Sequence, residues 1–240
     1  MSLQACANLV AEGDPLRFRV VMTLPLDLRE RLLPILAFNL EVSRAPYLTT
    51  EPMIARIRLQ WWRDCMDEIY GGGEVRRHEV STPLSNVLRA GSLDRTVFDD
   101  LITARETDID GFDFQSWADL WSYLDLSGGA LLAALGAAAG IEGPARRIGT
   151  GYAVAGWLRA VADLNNRGGQ ALPDFDGIPA FVDQAFEKIA DRRGIKPMHR
   201  FGYLVPLILW QARQDPSAIT DGRLEPNPLR AQIAFLRSLI

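Results

Sequence analysis

Along most of the chain, apolar residues return every three or four positions. After Thr50 as a cap and Pro52 in the first turn, Ile54, Ile57, Trp61, Cys65 and Ile69 form one stripe, which Gly71, Gly72 and Gly73 end. The spacing predicts an amphipathic helix with Trp61 in the core and Trp62, one position round, at a groove or partner surface. Similar stripes predict helices over about 27–45, 94–107, 115–139, 145–168, 179–193 and 200–213, with a short one from 228. No run alternates with period two, so little room is left for a sheet. Breaks fall at Pro25, Pro46, 109–113, 140–144, 173–179 and 215–228. None is long or polar enough for an interdomain linker, and no repeat is present. The pattern predicts a single all-α domain over residues 1–240, with about eight helices.

The longest apolar run, LSGGALLAALGAAAGI at residues 126–141, is 16 residues long and rich in Gly and Ala. That is short of the roughly 20 residues that span a bilayer, so a buried helix is expected and no transmembrane segment. The chain has 240 residues, 48% hydrophobic and 23% charged, a composition that excludes disorder and suffices for one sizeable core. A formal net charge of −4 and a pI near 5.3 argue against a nucleic-acid binder. The two cysteines, Cys6 and Cys65, imply neither a disulfide framework nor a zinc site. The first twenty residues carry Glu12 and Asp14 and no basic start before an apolar run, so no signal peptide is expected. The expected location is the cytoplasm, with contact at the membrane periphery left open.

Local groupings add little chemistry. DIDGFD, residues 108–113, lacks the Gly and Glu positions of a calcium loop and reads as an interhelical turn, with Asp113 capping the next helix. GTGYAVAG, residues 149–156, is not a dinucleotide fingerprint and follows no strand; its small residues suit close helix packing. His78 and His199 have no carboxylate or cysteine at ligand spacing and read as surface or capping residues. No Ser, Cys and His grouping forms a nucleophile site.

Five stretches in order resemble the squalene/phytoene synthase family: LRERLLPILAFNLEVSR (28–44), RLQWWRDCMDEIYGG (58–72), FDDLITARETDID (98–110), YLDLSGGALLAALG (123–136) and WLRAVADLNNRGGQALP (157–173). The resemblance runs from about 16 to 215 and implies an isoprenoid-synthase-like helical bundle around a central cavity. In that family two helices each carry Asp-x-x-x-Asp. At i and i+4 two carboxylates share one helix face, and together the pairs hold about three Mg²⁺ ions against the prenyl diphosphates.

Residue by residue, this chain departs at those positions. The first motif falls on Ser43, Arg44 and Tyr47, with Pro46 interrupting the helix. In the second, Arg159 matches the family's Arg, while Ala160 and Leu164 stand in place of the aspartates. Arg167, Gly168, Leu172 and Pro173 agree with its closing segment, but Gly169 replaces an Arg and Ala171 a Tyr. The nearest carboxylates, Glu41 and Asp163, are rotated about 100° round their helices. Asp163 is placed to pair with Arg159 and Arg167 at i−4 and i+4.

The segments around residues 38–44, 58–70 and 104–110 and the C-terminal PLRAQIAFLRSL are more similar to the degenerate squalene/phytoene synthase-like assembly factors of respiratory complex I, which also lack the aspartates. That resemblance implies a pseudoenzyme with no catalytic residue, no metal and no cofactor, whose partner is a respiratory-chain protein. Two alternatives stay open. One is an active Mg²⁺-dependent head-to-head prenyltransferase with a rearranged site. Its rearranged site would be built on Glu41 and Asp163; the other is a metal-free isoprenoid or lipid carrier in which Arg44, Arg159 and Arg167 meet a phosphate or other anionic head group. Oligomeric state is not legible in the sequence.

Overall fold

A computed structural model describes residues 3–91, 93–190 and 192–240 of the chain. Among them are thirteen α-helices and no strand, with one isolated bridge between Asp113 and Gln170. The helical reading holds throughout. The count exceeds eight because helices over Leu3–Gly13, Pro15–Val21, Ser81–Gly91 and Ser217–Thr220 lie outside the predicted stripes, and the stripe over 115–139 is divided into two helices.

The helices are α1 (Leu3–Gly13), α2 (Pro15–Val21), α3 (Leu26–Arg44), α4 (Pro52–Tyr70), α5 (Ser81–Gly91), α6 (Thr96–Asp110), α7 (Trp117–Leu124), α8 (Ala130–Ala138), α9 (Ala145–Asn166), α10 (Ile178–Ile189), α11 (Val205–Gln214), α12 (Ser217–Thr220) and α13 (Pro228–Ser238). They form two compact units. One contains the chain to Asp110 together with 133–142; the other contains 111–132 and 143–240.

In the first unit α3 is the central helix, buried along most of its length from Leu32 to Val42. Phe38 stands edge-on to both Trp62 on α4 and Phe98 on α6, with ring centres 5.1 and 5.7 Å away. The buried stripe of α4 is Ala55, Leu59, Trp62, Met66 and Ile69, joined by Cys65. This corrects the predicted stripe by one helical position. Ile54 and Ile57 are exposed, and Trp62 is in the core; Trp61 lines a surface recess that Trp62, as expected of a residue at a groove, also reaches. Both stripes have helical spacing, so periodicity alone could not choose between them. Burial of Trp62 against Phe38 decides it. Gly71 ends α4 as expected, and Gly72 takes a left-handed φ of 74° that a side chain would resist. Cys6 and Cys65 are free and buried, and burial pushes their thiols up to about 11 and 12, so neither is poised for thiolate chemistry.

In the second unit, α9 packs against the turn that precedes α8 and against α10. The stripe predicted as one helix over 115–139 is divided. After α7, residues Asp125–Gly129 form a π-helical turn before α8 begins. The turn is tied to α9 through Asp125, whose carboxylate accepts from Arg146 Nε and Thr150 Oγ1, each at 2.8 Å. Gly128, Gly129 and Gly149 allow the two backbones to meet, as the small residues of 149–156 suggested. The cap of α7 is Ser116, not Asp113: Ser116 and Asp119 form a reciprocal capping box, while Asp113 accepts from the Gln115 amide at 2.6 Å. Phe112, Phe114, Tyr123 and Trp157 form an aromatic cluster with ring centres 5.0 to 6.3 Å apart.

The C-terminal helix α13 starts at Asn227, whose side chain accepts from the amides of Leu229 and Arg230, with Pro228 at the first helical position. His199 Nε2 donates to the Ser238 carbonyl at 3.0 Å, Arg200 donates to the Leu239 carbonyl at 3.2 Å, and Phe235 packs on Tyr203. Burial holds the His199 imidazole below its ordinary pKa, in keeping with a neutral ring whose Nε2 carries the proton.

Candidate functional site

The first motif region lies at the end of α3. Ser43 turns its hydroxyl back to the Leu40 carbonyl at 3.1 Å, the helix stops at Arg44, and Ala45–Tyr47 continue as a 3-10 turn around Pro46. Tyr47 is exposed. The Arg44 guanidinium lies over Gly13 at the end of α1, where a Cβ would come within 3.0 Å of its Cζ. Glu41 faces a different way, into a recess of about 250 Å³ formed with Ala45, Leu48, Ile57, Trp61 and His78. Arg44 does not line that recess, so the helix sends these two charges to different places.

His78 lines the recess, and Arg76 braces its Trp61 wall. Arg76 donates to the Trp61 carbonyl at 3.2 Å, its guanidinium is 5.0 Å from the Trp61 ring centre, and it forms an ion pair with Glu68 at 2.7 Å. That hydrogen-bonded pairing holds the Glu68 carboxyl below its ordinary pKa. The His78 ring stands edge-on to Trp61 and Trp62 at 5.2 and 5.6 Å. The result is a rigid aromatic pocket suited to gripping an apolar side chain or hydrocarbon, with Glu41 and Arg58 as its charges. Sequence reasoning did not find it because Trp61 was assigned to the core and Arg76 and His78 lie outside any motif.

The second motif region lies at the end of α9 in the other unit. Leu164 is buried and Ala160 half-buried, so one former carboxylate position is now core. Asp163 is exposed and pairs with Arg167 at 2.6 Å. Arg159 does not join them; it pairs with Glu225 at 2.6 Å, a partner distant in sequence and absent from every motif. The closing segment is kept in place: Trp157 Nε1 donates to the Ala171 carbonyl at 2.8 Å, and Asn165 accepts from the Ala171 amide at 3.1 Å. A Cβ at Gly169 would be 3.3 Å from the Phe112 carbonyl oxygen, a tight contact at the position where the family has arginine.

Glu41 and Arg44 thus belong to one unit, and Arg159, Asp163 and Arg167 to the other. Among the described residues, no group of three or more His, Cys, Asp or Glu side chains is arranged to hold a metal ion, and no helix is long and apolar enough to cross a membrane.

Comparison with known proteins agrees with this frame. The chain is 26% identical over 178 residues to a complex I assembly factor 6 homolog of Drosophila melanogaster, covering 70% of this chain and 53% of that one. It is 24% identical over 127 residues to complex I assembly factor 6 of Bos taurus, covering 53% of this chain and 38% of that one. The chain therefore spans about half, or less, of the length of these relatives. A dehydrosqualene synthase crystal structure superposes with a TM-score of 0.76 at 14% identity, over 98% of this chain and 94% of that one. A squalene synthase from Alicyclobacillus acidocaldarius superposes with a TM-score of 0.65 at 16% identity, over 98% and 89%. These likenesses establish the helical isoprenoid synthase fold. The squalene/phytoene synthase profile matches residues 10–176, more than half of the chain, and the chain belongs to that family.

Proposed function

We propose that this chain is a catalytically degenerate member of its family that acts in the assembly of respiratory complex I by binding one of its subunits. The observation that carries the reading is the replacement of both carboxylate pairs, by Ser43 and Tyr47 on one helix and Ala160 and Leu164 on the other. The remaining acids do not substitute for them. Asp163 is paired with Arg167, and Glu41 lies between the aromatic recess and a second recess that it shares with Glu12 and Glu79, where among the described residues no three acids are grouped to hold a metal ion. Diphosphate departure in this family needs metal-held charge, and a hard cation needs clustered oxygen ligands. Relatives named as complex I assembly factors support the role, and the Trp61 recess supplies a surface on which a subunit segment would dock. No metal or cofactor is required, and the expected place of action is the cytoplasm.

Deleting the gene tests the reading. We expect less assembled complex I and less NADH-dependent quinone reduction, both restored by the wild-type chain and by Asp163→Ala, while Trp61→Ala restores them poorly. Normal complex I in the deletion strain would overturn the proposal.

A further inference from the structure

We infer that α13 and the segment before α11 form a docking surface for an anionic lipid bilayer. The inference does not rest on the assembly role, and a chain without that role would still bind lipid.

Two observations meet on this face. The first is apolar. α13 buries only Phe235, yet Leu229, Ile233 and Leu236 recur at i, i+4 and i+7 on its outer side and are 69%, 41% and 53% exposed; Trp210, on α11 beside it, is 52% exposed. A helix with an apolar outer face has no reason to leave it in water unless something apolar receives it. The second is charge. Arg192, Lys196, Arg230 and Arg237 line one groove of about 900 Å³ next to that stripe, with Trp210 and Ile233 and with no carboxylate among the described residues that line it. Between Asp191 and Asp215 the sequence has five basic residues and no acidic one, in a chain of net charge −4; of these, Arg213 is paired with Asp183 at 3.3 Å. Arg230 and Arg237, seven residues apart, share the groove side of α13, about 90° round from the apolar stripe. His199 and Arg200 pin the C-terminal end of the helix through the Ser238 and Leu239 carbonyls, so the amphipathic surface is preformed.

Apolar residues beside unopposed arginines match the acyl and headgroup layers of an anionic membrane in order. A soluble anion would leave the apolar stripe in water. A second copy of the chain would bring the same cations against each other.

Sedimentation of the full chain with vesicles tests this. With phosphatidylcholine vesicles containing about 30 mol% phosphatidylglycerol we expect binding that is lost on raising NaCl to about 0.5 M, and little binding to phosphatidylcholine alone. The double variant Arg230→Gln, Arg237→Gln should weaken partitioning by about 30-fold, roughly fivefold for each charge removed. Leu236→Asp should weaken it by at least about tenfold. If Leu236→Asp fails to fold, Leu229→Asp carries the same test at a more exposed position. Equal binding to both vesicle types, undiminished binding by these variants, or a stable dimer that Leu236→Asp dissolves and that ignores vesicles would each overturn the inference.

Discussion

At the scale of single residues, neighbouring tryptophans on α4 have opposite roles. Trp62 is buried against Phe38, and Trp61 is half-exposed in a recess held by Arg76 and His78. Truncating a large buried aromatic removes its transfer energy and leaves a cavity, so Trp62→Ala should lower the unfolding free energy by about 3–5 kcal/mol. Trp61→Ala should cost distinctly less, because water already reaches that ring. Chemical denaturation of both variants measures the difference, and equal losses would place both rings in the core. The sequence predicted Trp61 in the core and Trp62 at a groove; Trp62 does line the recess, but it is the ring that the core takes. Ile54, Ile57, Trp61, Cys65 and Ile69 have as good a helical spacing as the observed stripe, and the two stripes share Cys65 and Ile69. What settles the choice is a contact with Phe38, 24 positions earlier in the chain. The partners of the motif arginines were half legible for the same reason. Asp163 and Arg167 lie one turn apart and pair as expected, whereas Arg159 is claimed by Glu225, which no local rule could have nominated.

At the scale of elements, the association of α9 with the π-helical turn depends on glycine in a way the sequence did announce. A Cβ on Gly149 would lie 2.5 Å from the Gly128 carbonyl oxygen and 2.6 Å from Leu132 Cβ, atoms that cannot rotate away. Gly156, on the same helix, has nothing within 4 Å of its Cβ direction. Alanine at either site gains helix propensity, by about 1 kcal/mol. At Gly156 that gain stands alone, so Gly156→Ala should raise the melting temperature by roughly 2–4 °C. At Gly149 overpacking of about 1–3 kcal/mol opposes it, and because the obstructing atoms are backbone and Cβ the steric term should win. Gly149→Ala should therefore melt below wild type. A rise at Gly149 would mean the two backbones separate easily. The Gly and Ala composition of 126–141 and 149–156 made the close packing legible, but not the π turn that divides the first of these stretches. That turn is fixed by the Asp125 bonds to Arg146 and Thr150, which couple residues more than twenty positions apart.

At the scale of the whole molecule, the family frame was readable because ordered motifs survive along the chain, while the proposed loss of chemistry is read from four positions that carry no carboxylate. Neither reading names a partner, since a binding surface such as the Trp61 recess is built from residues with no shared motif. The frame nevertheless predicts how the chain responds to its relatives' chemistry. Farnesyl diphosphate held through Mg²⁺ would need clustered carboxylates on both motif helices. One helix ends here in Ser43, Arg44 and Tyr47, and the other presents Ala160, a buried Leu164 and an Asp163 already paired. A ligand at 100 times its Kd adds about 2.7 kcal/mol, which for a chain of this size raises the melting temperature by roughly 5–10 °C. Melting with farnesyl diphosphate should therefore give the same midpoint with and without Mg²⁺, and no prenyl product should accumulate. A stabilisation of that size that requires Mg²⁺ would show that the chain still takes up the diphosphate with a metal, and a prenyl product would then count it among the active synthases. An equal shift in both conditions would instead assign the diphosphate to arginines such as Arg44 and Arg167, and replacing them with Gln should then abolish it.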